Sequence, residues 1–176
     1  MKTISQLFIA VMFTAIAFSS CKKSSDNSNS SSNASMKFTA NGTAVSYNTC
    51  IVVDATAGTV KQTLISGNNG TITKPGDATF ELDILHDLAT LKAGQTYPVS
   101  TTFNQANSAA LIYFPNQNDF FATQPGNPQG TVSITDVTTD IIKGTFSGKL
   151  FTQDDFDGTT VKYTITGGTF VATRPK

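Results

Sequence analysis

The chain has 176 residues, with 12 Lys and Arg against 12 Asp and Glu and a formal net charge of zero. Nothing in that balance would concentrate cations along a phosphate backbone, which excludes nucleic acid as a partner. A single histidine excludes a metal centre made of several imidazoles, two cysteines allow one disulfide at most, and there is no tryptophan to serve as a large stacking platform.

Lys2 precedes an apolar run over residues 7–18, and Ser19-Ser20 follow it. This is the charged n-region, apolar h-region and small-residue cleavage site of a signal peptide. The run is too short to cross a bilayer, which takes about 20 mostly apolar residues in a helix. Cys21 stands directly behind the small residues, and the arrangement resembles the lipobox of bacterial lipoproteins. The resemblance implies that the Cys21 thiol takes a diacylglyceryl group, that residues 1–20 are removed, and that the new α-amine is acylated. Several acyl chains, at about 0.8 kcal/mol per buried methylene, anchor a protein permanently. Phe18 departs from the pattern, where Leu is the usual residue. The alternatives are a plain signal peptide cut nearby and an uncleaved signal anchor. A lipidated Cys21 leaves Cys50 without a partner; the rival arrangement is a Cys21 to Cys50 bridge.

Residues 24–35 are Ser and Asn with one Asp and one Ala, a composition with nothing to bury. Residues 21–35 are therefore expected to be a lipidated cysteine and a disordered tether, with a reach of roughly 20 Å for a flexible coil of this kind. The expected location is the outer membrane. Some related lipoproteins carry several acidic residues after the cysteine as a surface-export signal, whereas here Lys22, Lys23 and Asp26 stand there and do not distinguish the periplasmic from the cell-surface side.

From Met36 to the last residue the pattern predicts one β domain: short alternating runs rich in Thr, Val, Ile, Phe and Tyr, broken by Gly, Asn, Asp and Pro. Strands are expected at 37–40 and 43–53, joined through Asn41-Gly42, whose residues suit the positive φ angles of a type I′ turn. Val45, Tyr47, Thr49, Ile51 and Val53 would share one face, with Cys50 and Val52 on the other. A strand at 59–66 leads to turns at 67–70 and 74–77, then a strand at 78–85 has Phe80, Leu82 and Ile84 inward and Glu81 and Asp83 outward. Leu85, Leu88 and Leu91 recur at the spacing of one helical turn over 86–91. Further strands are expected at 109–114, 131–137, 141–152 and 161–172. In 141–152, Gly144 and Gly148 alternate with Ile142, Phe146 and Leu150, as in a sheet that lets another side chain lie across it. In the last strand, Val161, Tyr163 and Ile165 have one parity and Phe170 and Ala172 the other, which predicts a β-bulge at Gly167-Gly168.

Five segments, Gly94-Gln95-Thr96-Tyr97-Pro98-Val99, Ala110-Leu111-Ile112-Tyr113, Gly130-Thr131-Val132-Ser133-Ile134-Thr135, Lys143-Gly144-Thr145-Phe146-Ser147-Gly148 and Thr166-Gly167-Gly168-Thr169-Phe170, occur in an order that resembles small Bacteroidota lipoproteins of unknown function. The likeness covers about residues 36–173 and rests on strand and turn punctuation. It implies a secreted, lipid-anchored β-sandwich and carries no catalytic signature. The expected fold is accordingly an all-β antiparallel sandwich of about eight to ten strands, with a closed lipocalin-like barrel as the alternative.

Three groups of residues could carry chemistry. Glu81 and Asp83 project from one strand face about 6.5–7 Å apart, close in sequence to His86 and Asp87, and such a pair can act as acid and base across a glycosidic bond. The plainer reading is an outward polar face. Asp154, Asp155 and Asp157, followed by Gly158, resemble half of an oxygen-rich calcium loop, though the spacing and closing Glu of an EF-hand are absent. The plainer reading is a solvated hairpin connection. Asn116, Asn118, Phe120 and Phe121 of the long connection over 115–129, with Tyr113 and Phe114 just before it, form a ligand-binding set, because amides both donate and accept and aromatic faces stack on sugar rings. The alternative is a cover over the end of a sandwich. No Gly-x-Ser-x-Gly elbow is present, and no cofactor is called for. The expected function is a non-enzymatic envelope protein anchored to the membrane through Cys21, its domain contacting another envelope protein. A glycan or small-ligand module is the first alternative, and a hydrolase using Glu81, Asp83 or His86 the second.

Overall fold

A computed structural model describes residues 34–57, 60–70, 77–87, 91–102 and 105–175. The leader, Cys21 and the tether as far as residue 33 lie outside these residues, as do 71–76 of the expected turn region and 88–90 of the expected helical turn.

The described residues form eleven strands and no helix: β1 (Ser35–Ala40), β2 (Thr43–Tyr47), β3 (Thr49–Ala57), β4 (Val60–Asn68), β5 (Thr79–His86), β6 (Thr96–Pro98), β7 (Ser108–Phe114), β8 (Phe121–Ala122), β9 (Gly130–Val137), β10 (Ile141–Thr152) and β11 (Tyr163–Thr173). Eleven exceeds the expected eight to ten for two reasons. β6 and β8 have only three and two residues, too few to leave an alternation. The strand expected over 43–53 also breaks at Asn48, where the chain leaves one layer for the other. The break resets the side-chain phase: Tyr47 is buried before it, whereas Cys50 and Val52 are buried after it and Ile51 and Val53 are only half-buried. The single face proposed for Val45 through Val53 is corrected accordingly.

Hydrogen bonding runs β2-β1-β11-β3-β4-β5-β7-β8-β10-β9-β6, and β10 also pairs with β11. That extra pairing closes β11, β3, β4, β5, β7, β8 and β10 into a ring. The closure is thin at two corners: β3 meets β11 at the single parallel pair Ile51 and Thr173, and β8 meets β10 at two residue pairs. The ring is therefore flattened into two layers, β2-β1-β11-β10-β9-β6 facing β3-β4-β5-β7, and shares features of sandwich and barrel. All pairings between strands except β3 with β11 are antiparallel.

Both layers send large side chains inward. Phe38 of β1 packs on Phe80 of β5 with centroids 4.6 Å apart, and Phe80 lies 5.0 Å from Phe146 of β10. Met36, Ile65, Leu82, Ile84, Leu111, Ile142, Leu150 and Ile165 are at most 1% exposed. Each such side chain contributes about 1.5–3 kcal/mol of transfer free energy, which makes this core the main source of stability. Close approach of the layers uses glycine: a Cβ on Gly67 would come within 2.8 Å of Met36, and one on Gly148 within 3.0 Å of Leu111.

The turn between β1 and β2 has Asn41 at φ 49° and Gly42 at φ 82°, the two left-handed residues that a type I′ hairpin needs. Asn41 also holds the neighbouring strand, donating to the Lys162 carbonyl and accepting from the Thr164 N–H, each at 2.8 Å. The β11 bulge occurs where the parity argument puts it. Thr169 pairs with Lys37 and Thr166 with Thr39, so β11 has one more residue than β1 across this interval. The same excess appears against β10, and Gly167 at the bulge has φ 61°. Ile165, Phe170 and Ala172 consequently all face inward.

Candidate functional site

The inner face of β3, β4 and β5 is apolar through Val52, Ile65 and Leu82, then turns polar toward one end. Asp54 pairs with Thr63 across β3 and β4, and Lys61 pairs with His86 across β4 and β5. The pleat alternates side chains between faces, so Asp54, Thr63 and His86 continue the core rows of Cys50 and Val52, of Ile65, and of Phe80, Leu82 and Ile84. Arg174, one residue past β11, reaches the Asp54 carboxylate. Asp54, Lys61, His86 and Arg174, with Thr56, Gln62 and Leu91, line a cleft of about 210 Å³ at the end of the domain, and Thr63 stands behind Asp54 and His86. Arg174 puts the cleft beyond the C-terminal end of β11, the end of that strand at which Ser35 of β1 pairs with Val171.

The hydrogen bonds there have a fixed direction. Thr63 Oγ1 donates to Asp54 Oδ1 at 2.7 Å, and His86 Nε2 lies 3.1 Å from the same hydroxyl oxygen. A hydroxyl has one proton and a carboxylate only accepts, so the imidazole is the donor and carries hydrogen on Nε2. Imidazole, hydroxyl and carboxylate thus stand in the opposite order to a nucleophilic triad, where the imidazole takes the hydroxyl proton. Asp54 accepts from Thr63 on Oδ1 and from Arg174 on Oδ2. Lys61 donates to Thr56 Oγ1 at 3.4 Å, and among the described residues no carboxylate forms an ion pair with it.

Glu81 and Asp83 project from the opposite face of β5 to His86, as the alternation of exposure along the strand requires. The acid pair and the imidazole therefore do not converge. Burial pushes both carboxyls above their ordinary range, and Asp83 pushes Glu81 further. Their register neighbours account for the desolvation: Glu81 lies beside Ile112, and Asp83 beside Leu64 and Ala110. Gln62 Nε2 donates to Asp83 Oδ1 at 2.9 Å, which partly offsets the rise. Asp83 also lines a smaller cleft of about 140 Å³ with Ser100, Ser108 and Thr123.

The expected ligand-binding set divides between core and surface. Tyr113 is 7% exposed and packs on Phe38, Phe80 and Tyr163. Phe121 packs on Tyr163 at 4.9 Å, while Phe114 and Phe120 pack on each other at 5.2 Å, half-buried. Most amides of the connection hold the chain itself. Asn116 Oδ1 accepts from the N–H groups of Asn118 and Asp119, an Asx-turn, and Asn116 Nδ2 donates to Asp119. Gln117 reaches Asp77, Gln124 the Thr152 carbonyl and Asn127 the Gly158 carbonyl. The segment is largely a cover, locked by β8 at its centre.

The acidic loop is organised in the same way. Asp155 accepts from Thr159 N–H and hydroxyl and from Thr160 N–H at 2.8–3.0 Å, and these bonds draw its carboxyl below the ordinary range. Asp154 is lowered chiefly by a hydrogen bond from Thr152. Among the described residues no group of three or more His, Cys, Asp or Glu side chains could hold a metal ion, and Asp154, Asp155 and Asp157 form no such group. Cys50 is fully buried and unpaired, its thiol pushed up to about 12 by desolvation.

Sequence reading missed Asp54, Thr56, Lys61, Thr63 and Arg174. A signal was present: polar residues stand where the apolar inward row of a strand would continue, as His86 does after Phe80, Leu82 and Ile84. Arg174 could not be found this way, because only the fold carries the end of β11 to β3.

The fold defines the class of the molecule, an all-β domain with a polar cleft at one end of two closed layers. No family model, no curated protein and no solved structure matches the chain.

Proposed function

We propose that this protein is a non-enzymatic lipoprotein of the outer membrane, held by Cys21, whose β domain is an interaction module. The observation that carries the reading is the cysteine directly behind a signal-type apolar run, with a Ser and Asn tether leading into β1. The small Bacteroidota lipoproteins that the strand motifs resemble fit the same description. A non-catalytic domain is supported by the pleat of β5, which separates Glu81 and Asp83 from His86, and by the direction of the Thr63 hydrogen bonds. The surface also offers little apolar area: among the described residues, the exposed large hydrophobic side chains are Phe156 and Val161, both between β10 and β11.

The test is metabolic labelling with radioactive palmitate, followed by intact mass of the membrane-extracted chain. Label should enter the wild type and not Cys21→Ser, and the mass should start at Cys21 with acyl groups added. An unlabelled chain, or one retaining its leader, would end the proposal. Protease shaving of whole cells distinguishes the cell-surface from the periplasmic side.

The second reading, a small-ligand module, is favoured by the cleft of about 210 Å³ at the domain end. Glycan binding through Phe114 and Phe120 has less support, since the neighbouring amides are committed to the chain.

A further inference from the structure

We propose that the cleft framed by Asp54, Thr56, Lys61, His86, Leu91 and Arg174 binds a small, singly charged oxyanion of the phosphodiester type. The charge count sets the ligand's sign and magnitude. Asp54 is satisfied by Thr63 and Arg174, so this carboxylate and guanidinium compensate each other. Among the described residues Lys61 makes the long contact to Thr56 and no ion pair, which leaves its ammonium as the uncompensated charge of the cleft. One net positive charge in a partly enclosed polar recess matches a monoanion, and a dianion would meet the Asp54 carboxylate without a second free cation.

The surrounding groups are of the type that oxyanions use. The guanidinium presents five N–H donors in a fixed fork, of which Nη1 is directed to Asp54, and Lys61 and Thr56 line the same cleft. Leu91, 4% exposed, gives the recess an apolar wall. The volume of about 210 Å³ is below the roughly 300–1,000 Å³ of drug-sized sites, so the ligand is a small group or the exposed head of a larger molecule.

Two sources carry this chemistry: a phospholipid headgroup and a free diester. Only the lipid source rests on the anchoring proposal; the oxyanion site rests on the domain.

The single histidine makes the test direct, because its imidazole is the only one in the spectrum. The full chain, labelled with 13C and 15N at histidine and held in maltoside micelles, is titrated with glycerophosphoglycerol, sodium acetate, or sodium chloride at matched ionic strength. The diester should shift the His86 resonance saturably, acetate more weakly, and chloride only in proportion to ionic strength. Lys61→Gln should weaken diester binding by about tenfold, and Lys61→Arg should restore most of it. Doping the micelles with phosphatidylglycerol separates the sources: saturation there assigns a lipid headgroup, and saturation by the soluble diester alone assigns a free ligand. A response identical to chloride, tighter binding of acetate than of diester, or unchanged affinity in folded Lys61→Gln overturns the proposal. Loss of labelling at Cys21 would remove the lipid source and leave the soluble titration unaffected.

Discussion

Phe146 lies opposite Gly168 across β10 and β11, and its ring occupies the space that a side chain on the glycine would need: an added Cβ would sit 2.6 Å from Phe146 Cδ2. Two residues away, the relationship is repeated with the strands exchanged, Phe170 of β11 lying over Gly144 of β10, where a Cβ would meet Phe170 Cζ at 2.5 Å. Each strand thus supplies one ring and one glycine, which lets two large aromatics cross the pair without overpacking.

Gly144→Ala should be destabilising by about 1–3 kcal/mol, the usual range for overpacking a filled core. The new methyl would also meet the Ser133 carbonyl at 2.3 Å, so trimming Phe170 to Leu should not restore the loss. Urea denaturation of Gly144→Ala and Gly144→Ala with Phe170→Leu checks both statements.

Gly167 has open space around its α-carbon but a left-handed backbone, so conformation rather than crowding governs substitution there. Gly167→Val should cost at least about 1–2 kcal/mol, and Gly167→Asn clearly less, since Asn tolerates this region. Equal losses in thermal unfolding would show that the bulge is not maintained by a positive φ.

Burial holds the Glu81 carboxyl above its ordinary value, so the folded chain binds more protons than the unfolded chain between the unfolded and folded pKa values. Stability contributed by this group is therefore greatest at acid pH and falls as pH rises through that window. Glu81→Gln should be more stable than wild type at pH 7 and should flatten the acid-to-neutral slope. Urea midpoints from pH 4 to 7 measure it; a parallel wild-type and variant slope would contradict the assignment.

Thr63 sits between His86 and Asp54, and the direction of its bonds requires hydrogen on His86 Nε2. Imidazole 15N shifts at neutral pH should report that tautomer. Thr63→Val keeps the shape but deprives both neighbours of a partner, and should cost about 1–3 kcal/mol. A proton found on Nδ1 alone would contradict the hydrogen-bond direction.

Cys50 has a thiol that burial pushes up to about 12, so at pH 8 it should resist iodoacetamide in the folded chain and react after addition of urea. Comparable labelling in both states would show that the core opens at β3.

Much of this architecture was legible in the residues because a strand writes its orientation locally. Phe80, Leu82 and Ile84 alternate with Glu81 and Asp83, Asn41-Gly42 specifies a turn, and the parity change between Ile165 and Phe170 demands one extra residue. Local rules of this kind need only neighbours along the chain. The break at Asn48 was hidden because β2 and β3 both alternate and the change of layer leaves no composition mark. β8 was hidden because two residues cannot show a period.

The sequence by itself determined an all-β domain, the hairpin at Asn41-Gly42 and the bulge in β11. Only the tertiary structure decided that the strands close on themselves, that Tyr113 belongs to the core, and that Asp54, Lys61, His86 and Arg174 meet at one end. Closure and convergence join residues more than a hundred positions apart, as Asp54 and Arg174 are joined. Their meeting depends on which strand edges pair, and that choice is made by the packing of the whole core.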